Sequence, residues 1–146
     1  MEYYMKEALI EANKAIEFDE VPIGAVIVYK DKIIARAFNG KERSQNATRH
    51  AEIIAIEEAS NYLQTWRLDE CDLYVTLEPC SMCAGAIIQA RLRQVSFGAT
   101  DPKSGALGGL YNMYDIKGFN HYPVVNHGLL KDDCSTILKN YFKTKR

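Results

Sequence analysis

The sequence predicts an α/β layered domain built on a mixed sheet. Segments with helical periodicity alternate with short apolar runs along the whole chain, the pattern of a sheet covered by helices. With 146 residues the chain has the size of one domain and enough material for a full core, so residues 1–146 are read as a single unit. No repeat, linker or low-complexity stretch interrupts it.

Each element follows from local pattern. Met5, Ala8, Leu9, Ala12 and Ile16 recur at helical spacing and predict a first helix over 3–18, with Pro22 marking its far side. Residues 23–29 form a continuous apolar run and 33–38 a second one. Lys30, Asp31 and Lys32 lie between them as a turn, which predicts a hairpin whose first strand is buried on both faces. A polar loop over 39–49 leads to a helix over 51–59, with Ile53, Ile54 and Ile56 as its apolar contacts. Residues 73–77 read as a third strand and 80–90 as a helix. Residues 95–98 then give a fourth strand, parallel to the third through a right-handed crossover. A glycine-rich loop spans 101–109, Val124 and Val125 mark a short fifth strand, and Cys134, Ile137, Leu138 and Tyr141 stripe a last helix with Phe142 beside them.

Composition sets limits on function. Hydrophobic residues make up 47% and charged residues 25%, the proportions of a soluble globular protein. The formal net charge of -1 gives no global basic field, so contact with nucleic acid would need a local patch. Charges at Glu2, Lys6, Glu7, Glu11 and Lys14 break up the N-terminus as a secretory signal, and no apolar stretch reaches membrane-spanning length. A cytoplasmic protein without membrane contact is expected. In a reducing compartment Cys71, Cys80, Cys83 and Cys134 favour metal or catalytic roles over disulfides.

The chemistry concentrates in two short segments, His50-Ala51-Glu52 and Pro79-Cys80-Ser81-Met82-Cys83. Cysteines three apart in the first turn of a helix point to one side. The partial positive charge of the helix N-terminus favours their thiolates, the form that zinc binds. A structural zinc site would take a second close pair of ligands, and the sequence offers none. Three protein ligands and an open position, the pattern of a catalytic zinc, fit better, with His50 as the third ligand at the mouth of the preceding helix. Glu52 would then border the ion as a proton carrier. Taken singly, each residue has another reading. A strand leading into CxxC at a helix start also resembles a thioredoxin-type redox pair, which would leave His50 and Glu52 unexplained. Glu52 could serve only the helix dipole, Asn39 could simply end a strand in a turn, and His121 and His127 read as structural. Cys71 and Cys134 read as inert core residues. The basic, aromatic segment 139–146 reads either as a grip on unpaired nucleotides or as a docked helix with a solvated face.

Taken jointly, the two segments resemble the signature of the zinc-dependent nucleobase deaminases. Val21-Pro22-Ile23-Gly24-Ala25-Val26, Trp66-Arg67-Leu68, the run from Leu73 to Ala86, Phe97-Gly98-Ala99 with Asp101, Pro102 and Lys103, and Phe119-Asn120-His121 extend the likeness along nearly the whole chain. They resemble the tRNA adenosine deaminase family (TadA type). The resemblance implies a three-layer α/β/α cytidine-deaminase-like fold with a five-stranded mixed sheet. It implies one zinc ion on His50, Cys80 and Cys83, with Glu52 as the proton shuttle. Asn39 would contact the base, Asp101 the target ribose and flanking nucleotides, and Phe142 with the basic residues after it the anticodon loop. The implied reaction is hydrolytic conversion of a wobble adenosine to inosine, with zinc-activated hydroxide attacking C6, on the anticodon stem-loop of a tRNA, by a homodimer. The alternative is a deaminase of a free base or nucleoside, of guanine or cytosine type; a zinc-stabilised RNA-binding module without catalysis would have no use for Glu52. The stretch from Asn46 to Glu52 departs towards the catalytic subunit of the heterodimeric eukaryotic enzymes, and Arg49 stands where a small residue is common at the pocket rim.

Overall fold

A computed structural model describes residues 1–145; Arg146, the last residue of the basic C-terminal segment, lies outside the described residues. The elements in chain order are α1 (Glu2–Glu17), β1 (Gly24–Tyr29), β2 (Lys32–Phe38), α2 (Lys41–Ser44), α3 (Ala51–Leu63), β3 (Cys71–Leu77), α4 (Ser81–Ala90), β4 (Gln94–Ala99), a 3-10 turn (Met113–Asp115), β5 (Val124–His127) and α5 (Lys131–Thr144). The five strands form one sheet in the order β2-β1-β3-β4-β5. β1 runs antiparallel to both β2 and β3, whereas β3, β4 and β5 are parallel. The sheet is mixed, and the crossover expected between the third and fourth strands is present.

Side chains alternate across β1 and β3 and so build two cores. Ala25, Ile27, Leu73 and Val75 pack with Ala51, Ala55, Ala84 and Ile87 of α3 and α4. Val26, Val28 and Tyr74 face the other way, against Met5 and Ala8 of α1 and Cys134 of α5. Helices therefore cover both faces, which is the three-layer α/β/α arrangement the resemblance implies.

Local departures have identifiable causes. Ile16, expected on the buried stripe of α1, is 43% exposed, while Met5, Ala8, Ala12 and Ala15 are buried. The helix lies so close to the sheet that a Cβ on Gly24 would run into the Ala8 carbonyl and the Ala12 amide, so small side chains face inward. In α3 Ala51, Ala55 and Ala59 likewise take the buried face, while Ile53, Ile54 and Ile56 are half-buried, Ile54 and Ile56 packing against the core as expected. That helix also runs to Leu63, because no breaker follows Ala59 and the chain turns only at Gln64, in the left-handed conformation. The hairpin turn has two residues, Lys30 and Asp31, both at positive φ, with Lys32 already paired to Tyr29. Within the expected loop 39–49, the short helix α2 forms because a buried carboxylate from elsewhere, that of Glu20, accepts its free amides.

Candidate active site

One edge of the sheet gathers the residues that the sequence singled out. β3 and β4 end there, and so does β2, so Asn39, Cys80 and Asp101 follow the three strands at the same rim. α3 and α4 both start at this rim. His50 is the N-cap residue of α3 and Cys80 that of α4, each in extended conformation and neither making a side-chain cap hydrogen bond. Helix N-caps ordinarily employ their side chain on the first-turn amides. Here both side chains are left to meet each other.

His50 Nδ1 lies 3.6 Å from Cys80 Sγ and 3.6 Å from Cys83 Sγ, and the three ligand atoms fall within 4.8 Å of one another. Tetrahedral zinc with Zn–N of about 2.0 Å and Zn–S of about 2.3 Å would set nitrogen and sulfur roughly 3.5 Å apart. The trio therefore could hold a metal ion, and its donor set and spacing fit zinc. All four cysteines are free. The Cys83 thiol and His50 beside it hold the Cys80 thiol down to about 4, the direction that a ligating thiolate needs. Cys71 and Cys134 lie in the core, where burial pushes their thiols up to about 11 and about 12, so they remain protonated and unreactive.

Glu52, in the first turn of α3, is 4% exposed and faces the trio. Burial pushes its carboxyl up to about 7, opposed by its own amide and by His50. Asn39 is buried. Its Oδ1 accepts from the Lys41 amide at 3.2 Å and its Nδ2 donates to the Val21 carbonyl at 3.4 Å. Asn39, His50, Val21 and Lys41 line a cleft of about 190 Å³. Val21 also lines a neighbouring cleft of about 410 Å³, which it shares with Asp101, Lys103, Leu138 and Phe142. The base-contact candidate therefore lines one cleft and the ribose-contact and anticodon-contact candidates another, with Val21 common to both. Phe142 is 47% exposed there, available for stacking. His121 accounts for itself structurally, with Nε2 at 2.6 Å from the Leu92 carbonyl.

Sequence reasoning passed over Glu78. It is 3% exposed and accepts the backbone amides of Asp101, Leu107 and Gly109 at 2.8 to 2.9 Å. A Cβ at Gly105 or Gly109 would collide with its carboxylate, which explains two of the glycines in that loop. The same loop bridges back to the turn that carries Cys80, where the Ala106 amide donates to the Pro79 carbonyl at 2.9 Å. Asp101 Oδ1 accepts from the amides of Lys103 and Ser104, closing the tip of the loop. A charged residue lodged between Leu77 and Pro79, at the end of an apolar strand, was the available signal.

A histidine and two cysteines at two helix mouths, with a buried carboxylate alongside, have the parts of a hydrolytic deaminase. Comparison with known proteins agrees. The family model of the MafB19-like deaminases matches residues 1–146, and the chain belongs to that family. The tRNA-specific adenosine deaminase of Bacillus subtilis (strain 168) is 50% identical, over 99% of this chain and 90% of its own length. A solved structure from a study of A-to-I editing by tRNA:A34 deaminases at the wobble position superposes with a TM-score of 0.88. It is 44% identical and covers 93% of this chain and 99% of the other. The guanine deaminase of Bacillus subtilis is 40% identical but covers 68% of this chain and 64% of the other, with a TM-score of 0.65.

Proposed function

We propose that this chain is a zinc-dependent tRNA adenosine deaminase that converts the wobble adenosine of an anticodon loop to inosine. The carrying observation is the convergence of His50, Cys80 and Cys83 within 4.8 Å at the edge where Glu52 is buried. Identity of 44–50% over almost the full chain to tRNA adenosine deaminases favours RNA over a free base. A tRNA substrate is in keeping with a cytoplasmic protein, and none of its described helices is long and apolar enough to cross a membrane.

The reaction adds water to C6 and releases ammonia. His50, Cys80 and Cys83 would hold the zinc ion, which would supply hydroxide near neutral pH by lowering the pKa of water. Glu52 takes a proton from the attacking water and passes it to the ring nitrogen N1. A second proton, from the hydroxyl then on C6, goes through the same carboxyl to the departing amine as the C6–N6 bond breaks and the C6 carbonyl forms. Asn39 holds the base in the smaller cleft. Asp101 keeps one oxygen on its own loop, leaving the other for a ribose hydroxyl, and Phe142 stacks on a neighbouring base of the splayed anticodon loop. The exposed Leu110, Tyr111, Ile116 and Phe119 form an apolar stretch that a second copy of the chain would cover, in keeping with a homodimer.

The test is incubation with an anticodon stem-loop bearing a wobble adenosine, read by sequencing for inosine, beside free adenosine and free guanine. Conversion confined to the stem-loop is expected; conversion of the free base alone would overturn the RNA assignment. Elemental analysis should find one zinc per chain, lost in His50→Ala and in Cys83→Ala.

A further inference from the structure

Glu20 has no part in the chemistry above, yet it is 0% exposed. A buried carboxylate needs partners, and this one finds them in a different segment. It accepts the backbone amides of Glu42 at 3.0 Å and of Arg43 at 2.5 Å, in the first turn of α2. The N-cap residue of that helix is Gly40, which has no side chain to do so.

The two segments joined by Glu20 are also the two that hold Asn39. Its Nδ2 donates to the carbonyl of Val21, the residue after Glu20, and its Oδ1 accepts from the amide of Lys41, the residue before Glu42. Asn39 therefore sits at the crossing of a strap, 18–23, and a helical turn, 41–44. A second fastening lies on the outer side. The Arg43 guanidinium stands 4.8 Å from the Phe18 ring and 4.9 Å from the Phe38 ring, and those rings stack at 5.6 Å. The end of α5 grips the same strap, through the Tyr141 hydroxyl on the Asp19 carbonyl and a Lys145–Asp19 ion pair.

We infer that Glu20 is a positioning residue: its carboxylate clamps the strap to α2 and so fixes the orientation of Asn39 in the base cleft. This rests on the reading of Asn39 as a base contact. The two anchor atoms of the Asn39 side chain lie on separate segments, and the Glu20 carboxylate ties those segments directly to each other. A base held with displaced ring atoms reacts slowly even when bound.

The experiment uses the full-length, zinc-loaded chain and Glu20→Gln, which keeps the volume but turns an amide group towards the α2 amides. Expected are hydrogen exchange at Glu42 and Arg43 faster by about tenfold or more with exchange at Val75 unchanged, and shifted side-chain amide resonances of Asn39. On the stem-loop, kcat should fall by roughly tenfold or more with KM changed less and zinc content unchanged. Leu92→Ala, a core truncation at the opposite edge, serves as the stability control and should leave kcat alone. Unchanged Asn39 resonances, or unchanged kcat, in a folded Glu20→Gln protein would overturn the inference. Should that variant fail to fold, Glu20→Asp, which keeps the charge but shortens the reach to the α2 amides, takes its place; unaltered Asn39 resonances there would equally overturn it. A wild-type chain inactive on the stem-loop would sink the proposed function, while the Asn39 resonances would still decide the clamp.

Discussion

Glu52 and Glu78 invite comparison. Both are carboxylates removed from water, and each lies two residues from a ligand of the trio, Glu52 from His50 and Glu78 from Cys80. Their partners differ. Glu78 is surrounded by three amides from one loop, those of Asp101, Leu107 and Gly109. Glu52 has its own amide and the Cys83 thiol, and its carboxyl is pushed up to about 7 by burial. Backbone amides fix a carboxylate in one place, and a group so held builds structure. A carboxyl short of such donors can take up and release a proton near neutrality, which is what a shuttle requires. Burial alone does not separate the two roles; the origin of the hydrogen bonds does.

The contrast is broken most directly by making the same change at both positions. Glu52→Gln should lower turnover on the stem-loop by about a thousandfold, within the usual range for loss of a general acid–base group. Its zinc content and melting temperature should stay at or above those of the wild type, because a buried charge has been removed. Glu78→Gln should do the reverse. It leaves donors facing donors and should lower stability by about 1–3 kcal/mol in denaturant titration. Turnover would fall far less, mainly through KM, as the 101–109 loop loosens. Equal losses of turnover in two equally stable variants would show that the distinction drawn from their partners is wrong.

The site was more legible in the sequence than the way it is held. His50, Glu52, Cys80 and Cys83 stand in short segments whose spacing carries their chemistry, so a pattern match reaches them. The hairpin and the parallel crossover followed from pattern, whereas the antiparallel joining of β1 to β3 and the place of β5 beside β4 did not. The positions of Glu20 and Glu78 could not be read the same way, because their partners are backbone amides 22 to 31 residues distant, and amides leave no trace in a sequence. Ile16 of α1 misled for a related reason, and Ile54 and Ile56 of α3 pack against the core only from its margin. Periodicity finds a helical stripe but not the distance to the sheet, and at close approach alanine displaces the larger residue from the inner face.

Phe142 offers the smallest effect and a finer cut. Its ring borders the same cleft as Asp101, Lys103 and Ser104, the tip of the loop that Glu78 organises. Losing one stacking ring is worth about 1–3 kcal/mol per base at a fully used site. This ring is half open to water, so Phe142→Ala should sit at the low end, raising KM several-fold with kcat unchanged. If Glu78 acts by holding the loop against the ring, the two changes address one surface and their effects on KM should fall short of additive in the double variant. Full additivity would mean that the loop and the α5 ring contact the RNA independently, and that Glu78 serves only the turn that carries Cys80.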